Sequence, residues 1–455
     1  MRAPITVILA SSILSAGAPA QTASLTVKLD SSLRALEAKG FSGIVRVDTG
    51  GLTVLEKGYG LANRAERIPF TPSTVVQIGS NTKDFTMVSL LQLQARGRLD
   101  LRDSLAKYFP NAPSDKRGIT LAQLTDHRAG FPIGLGGDFD ALSREQFLDA
   151  AFKRPLNFPP GTGRQYSNTG YSILAAVIEQ VSGKPYDEYV RENILSPLGL
   201  TNTGFLLPKF DAKRLAHGYR NGEDQGTIIA KPHANDGPYW NLRGNGGMLS
   251  TVGDMHAFYK ALIETDKLLK PESKGRRFDP NQPIGLAGSD LVFVFVYERL
   301  PAQHLELIIA TNNSELRDRE VRAAIAPILG LPSVDGPPNV AGTPKVMRAP
   351  SAPVAALLNE FVATINAADS TALVKFIRER FIIEPGAPGA EPRAGRLIGL
   401  HKNLGVFQLK GLNELEPGIV EVSVNTAAEG PATLRVQVDA SGAPKIKGFQ
   451  VLVGG

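Results

Sequence analysis

Ile78-Gly79-Ser80-Asn81-Thr82-Lys83-Asp84-Phe85-Thr86-Met87-Val88-Ser89-Leu90-Leu91-Gln92-Leu93 sets a serine and a lysine three residues apart at the head of a strongly apolar run. Apolar side chains at 85, 87, 88, 90, 91 and 93 leave little polar face, which predicts a helix packed in the middle of a sizeable domain. Positions i and i+3 share a helix face, so the Lys83 ammonium can sit beside the Ser80 hydroxyl. N–H groups in the first turn of a helix lack intrahelical acceptors, which leaves that of Ser80 free to meet an oxyanion. One short segment therefore offers a nucleophile, a group to activate it and half of an oxyanion hole. The spacing alone is a weak signal, because Ser104-Leu105-Ala106-Lys107 repeats it in what reads as a solvated turn.

The flanking sequence says what surrounds this helix. Upstream, Lys28 to Lys39 reads as a helix, and Gly43–Asp48 and Leu52–Gly60 alternate like two strands across a turn at Gly50-Gly51. Downstream, helical patterns dominate up to residue 270. From Gly285 strand patterns return, in Leu291–Tyr297 and Leu305–Ala310. Strands at both ends and helices between them predict an α/β (α+β) fold. An antiparallel sheet built from N- and C-terminal strands is flanked by helices, with a helical subdomain beside it and a groove between the two.

Residues 331–353, rich in proline, read as a linker after a domain spanning 25–330. Residues 354–455 read as a small α+β domain. Ala355–Val362 is amphipathic, Asp369 can cap a second helix, and valines at 420, 422 and 424, Leu434, Val436 and Val438, then Ile446 to Val453, alternate like strands.

A Ser/Lys pair needs a further group to move protons. Tyr166 and Asn168, one residue apart after the turn Pro160-Gly161 and before an apolar helix at Ile173–Val181, can point the same way from an extended loop. A phenol must lose about three pKa units to act as a base at pH 7, roughly 4 kcal/mol. An ammonium about 4 Å away at an effective dielectric near 20 supplies about that much. Tyrosinate beside a lysinium and a neutral lysine acting as base are both feasible, and the two sites titrate together.

Taken in order, five stretches from about residue 40 to 315 resemble the class C β-lactamase and DD-peptidase-like serine hydrolases, the penicillin-binding-protein-like group that includes D-aminopeptidases and family VIII esterases. They are Gly58-Tyr59-Gly60-Leu61-Ala62, Ile78–Lys83, Leu124-Thr125-Asp126-His127-Arg128-Ala129-Gly130-Phe131, Tyr166-Ser167-Asn168-Thr169-Gly170-Tyr171 and Gly246-Gly247-Met248-Leu249-Ser250-Thr251. The resemblance implies Ser80 as the acylated nucleophile and Lys83 with Tyr166 as the proton-transfer pair. It also implies that Asn168 holds the lysine and the substrate amide.

The family's third element, a cation or ring followed by x-Gly, aligns with Gly285-Leu286-Ala287-Gly288-Ser289, and the segment before it is short for the family. Gly288 and Ser289 remain as substrate-binding backbone, and the Ser289 N–H completes the oxyanion hole. Leu286 in place of a cation weakens recognition of a substrate carboxylate and points to ester or uncharged amide substrates. Arg243 or Lys231 could stand in for that cation, with surface solvation the expected fate of each. His127 reads as a structural histidine bonded to loop backbone. A groove that binds peptidoglycan fragments or peptides without turnover is the alternative that Leu286 suggests.

Met1-Arg2, an apolar run to Ala16 and Ala18-Pro19-Ala20 have the three regions of a secretory signal over 1–20, cut after Ala20. The expected product is periplasmic or secreted, without stable membrane insertion. With no cysteine there are neither disulfides nor thiolate metal sites. Six scattered histidines give no metal-ligand spacing, and no glycine-rich phosphate loop is present, so no cofactor or metal is expected. Fifty basic against forty-four acidic residues, a net charge of +6 without a Lys/Arg block, argue against a nucleic-acid partner. The expected partner is a small-molecule or peptide substrate. The C-terminal domain, faintly similar to cystatin/NTF2-like modules, is a candidate for homo-oligomer contacts.

Overall fold

The computed structural model describes residues 17–290, 292–331, 349–383, 389–416, 418–426, 430–439 and 442–453. The chain divides into two compact units, Met1–Gly342 and Thr343–Gly455. Most of the expected signal and most of the proline-rich linker lie outside the described residues.

In the first unit, helix α1 (Gly17–Glu37) leads into β1 (Gly43–Thr49) and β2 (Leu52–Tyr59). The central helix α2 (Thr82–Ala95) follows, then the short α3 (Leu121–Thr125), α4 (Asn168–Ser182) and α5 (Val252–Glu264). The chain closes with β3 (Ile284–Asp290), β4 (Phe293–Leu300), β5 (Leu305–Thr311) and α6 (Asp318–Ile325). The strands form one antiparallel sheet in the order β2-β1-β5-β4-β3. The N-terminal hairpin thus pairs with the C-terminal meander, with Gly43 opposite Thr311. Residues 285–289, expected to lead into a strand, are themselves inside one.

Period-two alternation buries both faces of this sheet. Leu305, Leu307 and Ile309 of β5 and Val294 and Val296 of β4 pack with Leu29 and Leu33 of α1 and Val321 and Ile325 of α6. Their neighbours Ile308, Ala310, Phe293, Phe295 and Tyr297 join Phe85 and Val88 of α2 and Phe258 and Leu262 of α5. Helix α2 is therefore clad on every side, and all its residues from Thr82 to Leu93 are buried. An all-round apolar helix is stable only in such a place. No helix among the described residues is long and apolar enough to cross a membrane.

The second unit packs α7 (Ala352–Ala367), α8 (Ser370–Arg380) and α9 (Ala390–Leu404) with a four-stranded antiparallel meander, β6 (Phe407–Glu416), β7 (Ile419–Thr426), β8 (Gly430–Asp439) and β9 (Lys445–Val453). Asp369 caps α8 by accepting from the Ala372 N–H at 2.9 Å. Val420, Val422 and Val424 meet Leu358, Phe361 and Ile377 in one core.

Candidate active site

Ser80 lies in a turn of 3-10 helix, Gly79–Asn81, that runs straight into α2. Hydrogen bonding in this turn starts with the Asn81 N–H, which donates to the Ile78 carbonyl at 3.1 Å. The Ser80 N–H comes one residue too early to have an intrahelical acceptor. Strand β3, at the edge of the sheet, presses against the turn. Gly79 sits at φ +49, and a Cβ there would lie 2.5 Å from the Ser289 nitrogen. A Cβ at Gly288 would strike the Ile78 carbonyl oxygen and lie 2.6 Å from the Ser80 nitrogen. Two glycines facing each other therefore let the Ser80 and Ser289 backbones come together beside the hydroxyl.

Lys83, only 3% exposed, extends from the first turn of α2. Its Nζ donates to Ser80 Oγ at 2.9 Å and to the Asn245 carbonyl at 2.8 Å. Burial pushes the Lys83 pKa down, toward the neutral amine, and the neighbouring Tyr166, Asp290 and Asp84 oppose this only in part. Tyr166 is 41% exposed, and its hydroxyl is 2.6 Å from Ser80 Oγ. Its ring lies under the Lys83 nitrogen, 4.7 Å from nitrogen to centroid. Side chains 80, 83 and 166 thus converge on one oxygen.

Tyr166 reaches that oxygen because Ser167 is the extended N-cap of α4, accepting from the Gly170 N–H at 3.0 Å. Asn168 is already helical, so the two-residue alternation expected of an extended loop stops there. Its side chain does not hold the lysine, since the Asn245 carbonyl does, and Asn168 Oδ1 is buried without a partner among the described residues. No sequence motif singles out Asn245. It is fixed through its Nδ2, which donates to Ser172 Oγ at 2.8 Å and to the Asn241 carbonyl at 2.9 Å.

The absent cation at 286 has no stand-in at either expected place. Leu286 is 8% exposed, opposite Tyr297 in the apolar core. Arg243 is not solvated but buried, in a fork with Asp236 at 2.8 and 2.7 Å, and Glu179 is 3.7 Å away. Lys231, partly exposed, bonds none of Ser80, Lys83 or Tyr166. A third cation, Arg277 in the segment before β3, donates to the buried carboxylate of Asp84 at 2.6 Å. Asp84 also accepts from the Tyr259 hydroxyl at 2.9 Å.

His127 accepts at Nδ1 from the Ser167 N–H at 3.2 Å, with its ring against those of Tyr166 and Tyr171 at 4.6 and 5.2 Å. It is the backbone-bonded structural histidine that the turn suggests. Burial, then the positive Lys83, push its pKa down to about 3 from 6.5. As pH falls below about 6.5 the unfolded chain takes up a proton that the folded state refuses, so stability present above 6.5 is lost on the way to pH 3. The slope is ~1.4 kcal/mol per pH unit for one such group. His127→Asn tolerates the positive φ of 59° at this position and removes the titration. Urea melts from pH 7 to 4 should show a shallower loss for the variant than for the wild type, and parallel curves would refute this assignment.

One group of possible metal donors, Asp48, His256 and Glu306, comes together from β1, α5 and β5. Sequence spacing could not reveal it. Both Asp48 oxygens are engaged by Arg46, at 2.6 and 2.9 Å, and Glu306 accepts from Tyr297 and pairs with His256, so the cluster reads as an internal ion-pair network.

Residues 29–289 match the family model described as Beta-lactamase. The chain is 31% identical over 245 residues to a protein named putative penicillin-binding protein PbpX of Bacillus subtilis, covering 54% of this chain and 60% of that one. It is 28% identical over 247 residues to a putative D-alanyl-D-alanine carboxypeptidase of Escherichia coli O157:H7, covering 46% and 57%. The match thus spans about six-tenths of these relatives' own length. The crystal structure of FmtA from Staphylococcus aureus superposes with a TM-score of 0.57 at 25% identity, over 67% of this chain and 87% of that one.

Proposed function

Because the chain belongs to the Beta-lactamase family, we propose that it is a serine hydrolase that opens an ester or amide through an acyl-enzyme on Ser80. The observation that carries this reading is that Ser80 Oγ lies 2.9 Å from Lys83 Nζ and 2.6 Å from the Tyr166 hydroxyl. The buried lysine, whose pKa burial pushes down, takes the proton as Oγ attacks the carbonyl. The Ser80 and Ser289 N–H groups receive the developing oxyanion. Tyr166, on the open side of the site, passes a proton to the leaving oxygen or nitrogen, and the proton held by Lys83 replaces it directly, since Lys83 also interacts with Tyr166 and the acylated Oγ carries no proton to relay. Water then enters along the same exposed face and the steps run in reverse to free the acid. The lack of a cation at 286 favours substrates without a carboxylate beside the scissile bond. A signal over 1–20 would send the protein out of the cytoplasm, where such substrates in the cell wall lie.

A groove that only binds has no use for a lysine held against the serine by a second, independent acceptor, which is why the hydrolase reading is preferred. A fluorophosphonate probe separates the two. Wild type should label stoichiometrically at Ser80 and Ser80→Ala should not, whereas wild type that stays unlabelled, while still melting as a folded protein, would overturn the proposal.

A further inference from the structure

Residues 245–248 reach three parts of the site in four positions. The Asn245 carbonyl accepts from Lys83 Nζ at 2.8 Å. The Met248 carbonyl accepts at 3.0 Å from the N–H of Ile78, two residues before Ser80. Between them, the Gly247 N–H donates to Asp290 Oδ2 at 2.9 Å. This short segment is thereby fixed against the lysine, the nucleophile turn and the end of β3 at once.

Asp290 is the last residue of β3 and is only 6% exposed. Burial alternates along this strand, with Leu286, Gly288 and Asp290 turned inward and Ala287 and Ser289 outward. Its side chain therefore leaves β3 on the face where a Cβ at Gly288 would lie 2.6 Å from the Ser80 nitrogen. The residue just before it, Ser289, carries the second oxyanion N–H. The opposing loop is shaped to meet this carboxylate. Gly247 takes a φ of +80, and a Cβ at Gly246 would sit 3.4 Å from Asp290 Oδ2. Two successive glycines thus let the backbone close on a buried acid.

The carboxylate also acts through its field. Burial pushes the Lys83 pKa down, and Tyr166, Asp290 and Asp84 work against it. Arg277, 2.6 Å from Asp84, offsets part of the Asp84 charge. The other titratable groups that face Lys83 among the described residues are Tyr171, with its ring centroid 5.7 Å from Nζ, His127 and Asp138.

Resting on the hydrolase reading of Ser80, we propose that Asp290 is a positioning residue of that reaction, which through Gly247 keeps the Asn245 carbonyl, and with it Lys83, in register with the Ser289 N–H about one hydroxyl. Its negative charge keeps the buried amine basic enough to take the Ser80 proton.

The test is the rate of fluorophosphonate labelling at Ser80 in the full chain as a function of pH, for wild type, Asp290→Asn and Asp290→Ala. Asparagine has the shape of aspartate and keeps an oxygen for the Gly247 N–H, but removes the charge. Alanine removes both. Loss of the charge favours the neutral amine, so the rising limb of Asp290→Asn should move to lower pH by about half a unit or more. Asp290→Ala should show the same downward shift, with a plateau rate about tenfold below that of Asp290→Asn because the loop has lost its hydrogen bond. A variant that merely disturbs packing would lower the rate at every pH and leave the limb in place. A limb that stays put or moves up in an Asp290→Asn that melts as wild type does would overturn the assignment. So would an Asp290→Ala that matches Asp290→Asn on the plateau, and if alanine fails to fold the asparagine profile decides alone. Wild type that does not label removes the hydrolase reading and this inference with it, a result distinct from labelling with an unmoved limb.

Discussion

Lys83→Met should lower kcat by about 1,000-fold or more while leaving KM within a few-fold of the wild-type value, as expected when a general base that acts only in the transition state is removed. Methionine matches the length of the lysine stem, so the packing of α2 around position 83 survives. What is lost is the Nζ that reaches both Ser80 Oγ and the Asn245 carbonyl. The pH profile separates loss of the base from mere disturbance of the fold. Burial lowers the Lys83 pKa from its ordinary 10.5. Wild-type kcat/KM should therefore rise with pH along a limb centred below that value, as the amine loses its proton, and the limb should vanish in Lys83→Met. A variant that keeps a rising limb at the same position would assign the titration to another group and dismiss Lys83 as the base.

How far this arrangement is legible in the chain depends on the range of each interaction. The nucleophile, the lysine and the central helix are local, three residues and one apolar run, so their pattern is written within the stretch 78–93. The main sheet is also legible, because β1 and β2 alternate, β4 and β5 are short apolar runs, and turn signals separate them. Position 166 stands out from the other Tyr-x-Asn matches, Tyr219-Arg220-Asn221 and Tyr239-Trp240-Asn241, because a Pro-Gly turn precedes it and a buried helix follows.

The features that stay hidden are non-local or masked by exceptions. Asn245 supplies a backbone carbonyl, which any residue carries, and only the fold shows that it faces Lys83. Arg243 reads as a solvated loop cation because its partners, Asp236 and Glu179, are 7 and 64 positions away. In the second unit, β6 is interrupted by register shifts at Leu409/Gly411 and Glu414/Glu416, which break the period of two. Helix α9 leaves no clear helical signature because Pro392, Gly395 and Gly399 lie inside it.

Gly288→Ala isolates the part of the site that owes nothing to side-chain chemistry. The added methyl meets the Ile78 carbonyl oxygen and the Ser80 and Asn81 nitrogens, the last two at 2.6 and 2.8 Å, all of them backbone. No flexible side chain is available to move aside, so β3 must draw away from the nucleophile turn. Overpacking of this kind costs about 1–3 kcal/mol of stability. The larger effect is expected in turnover, because the retreat carries the Ser289 N–H out of reach of the oxyanion. Loss of one such donor is worth about 100- to 1,000-fold in kcat. Ala287→Gly is the control, since that side chain is exposed on the same strand and lacks this close approach. Fluorophosphonate labelling of Ser80 should slow in Gly288→Ala along with kcat, since the phosphonyl oxygen needs the same two donors. Full kcat in Gly288→Ala would show that β3 does not contribute to the oxyanion hole, and the Ser289 N–H would then have no part in stabilising the transition state.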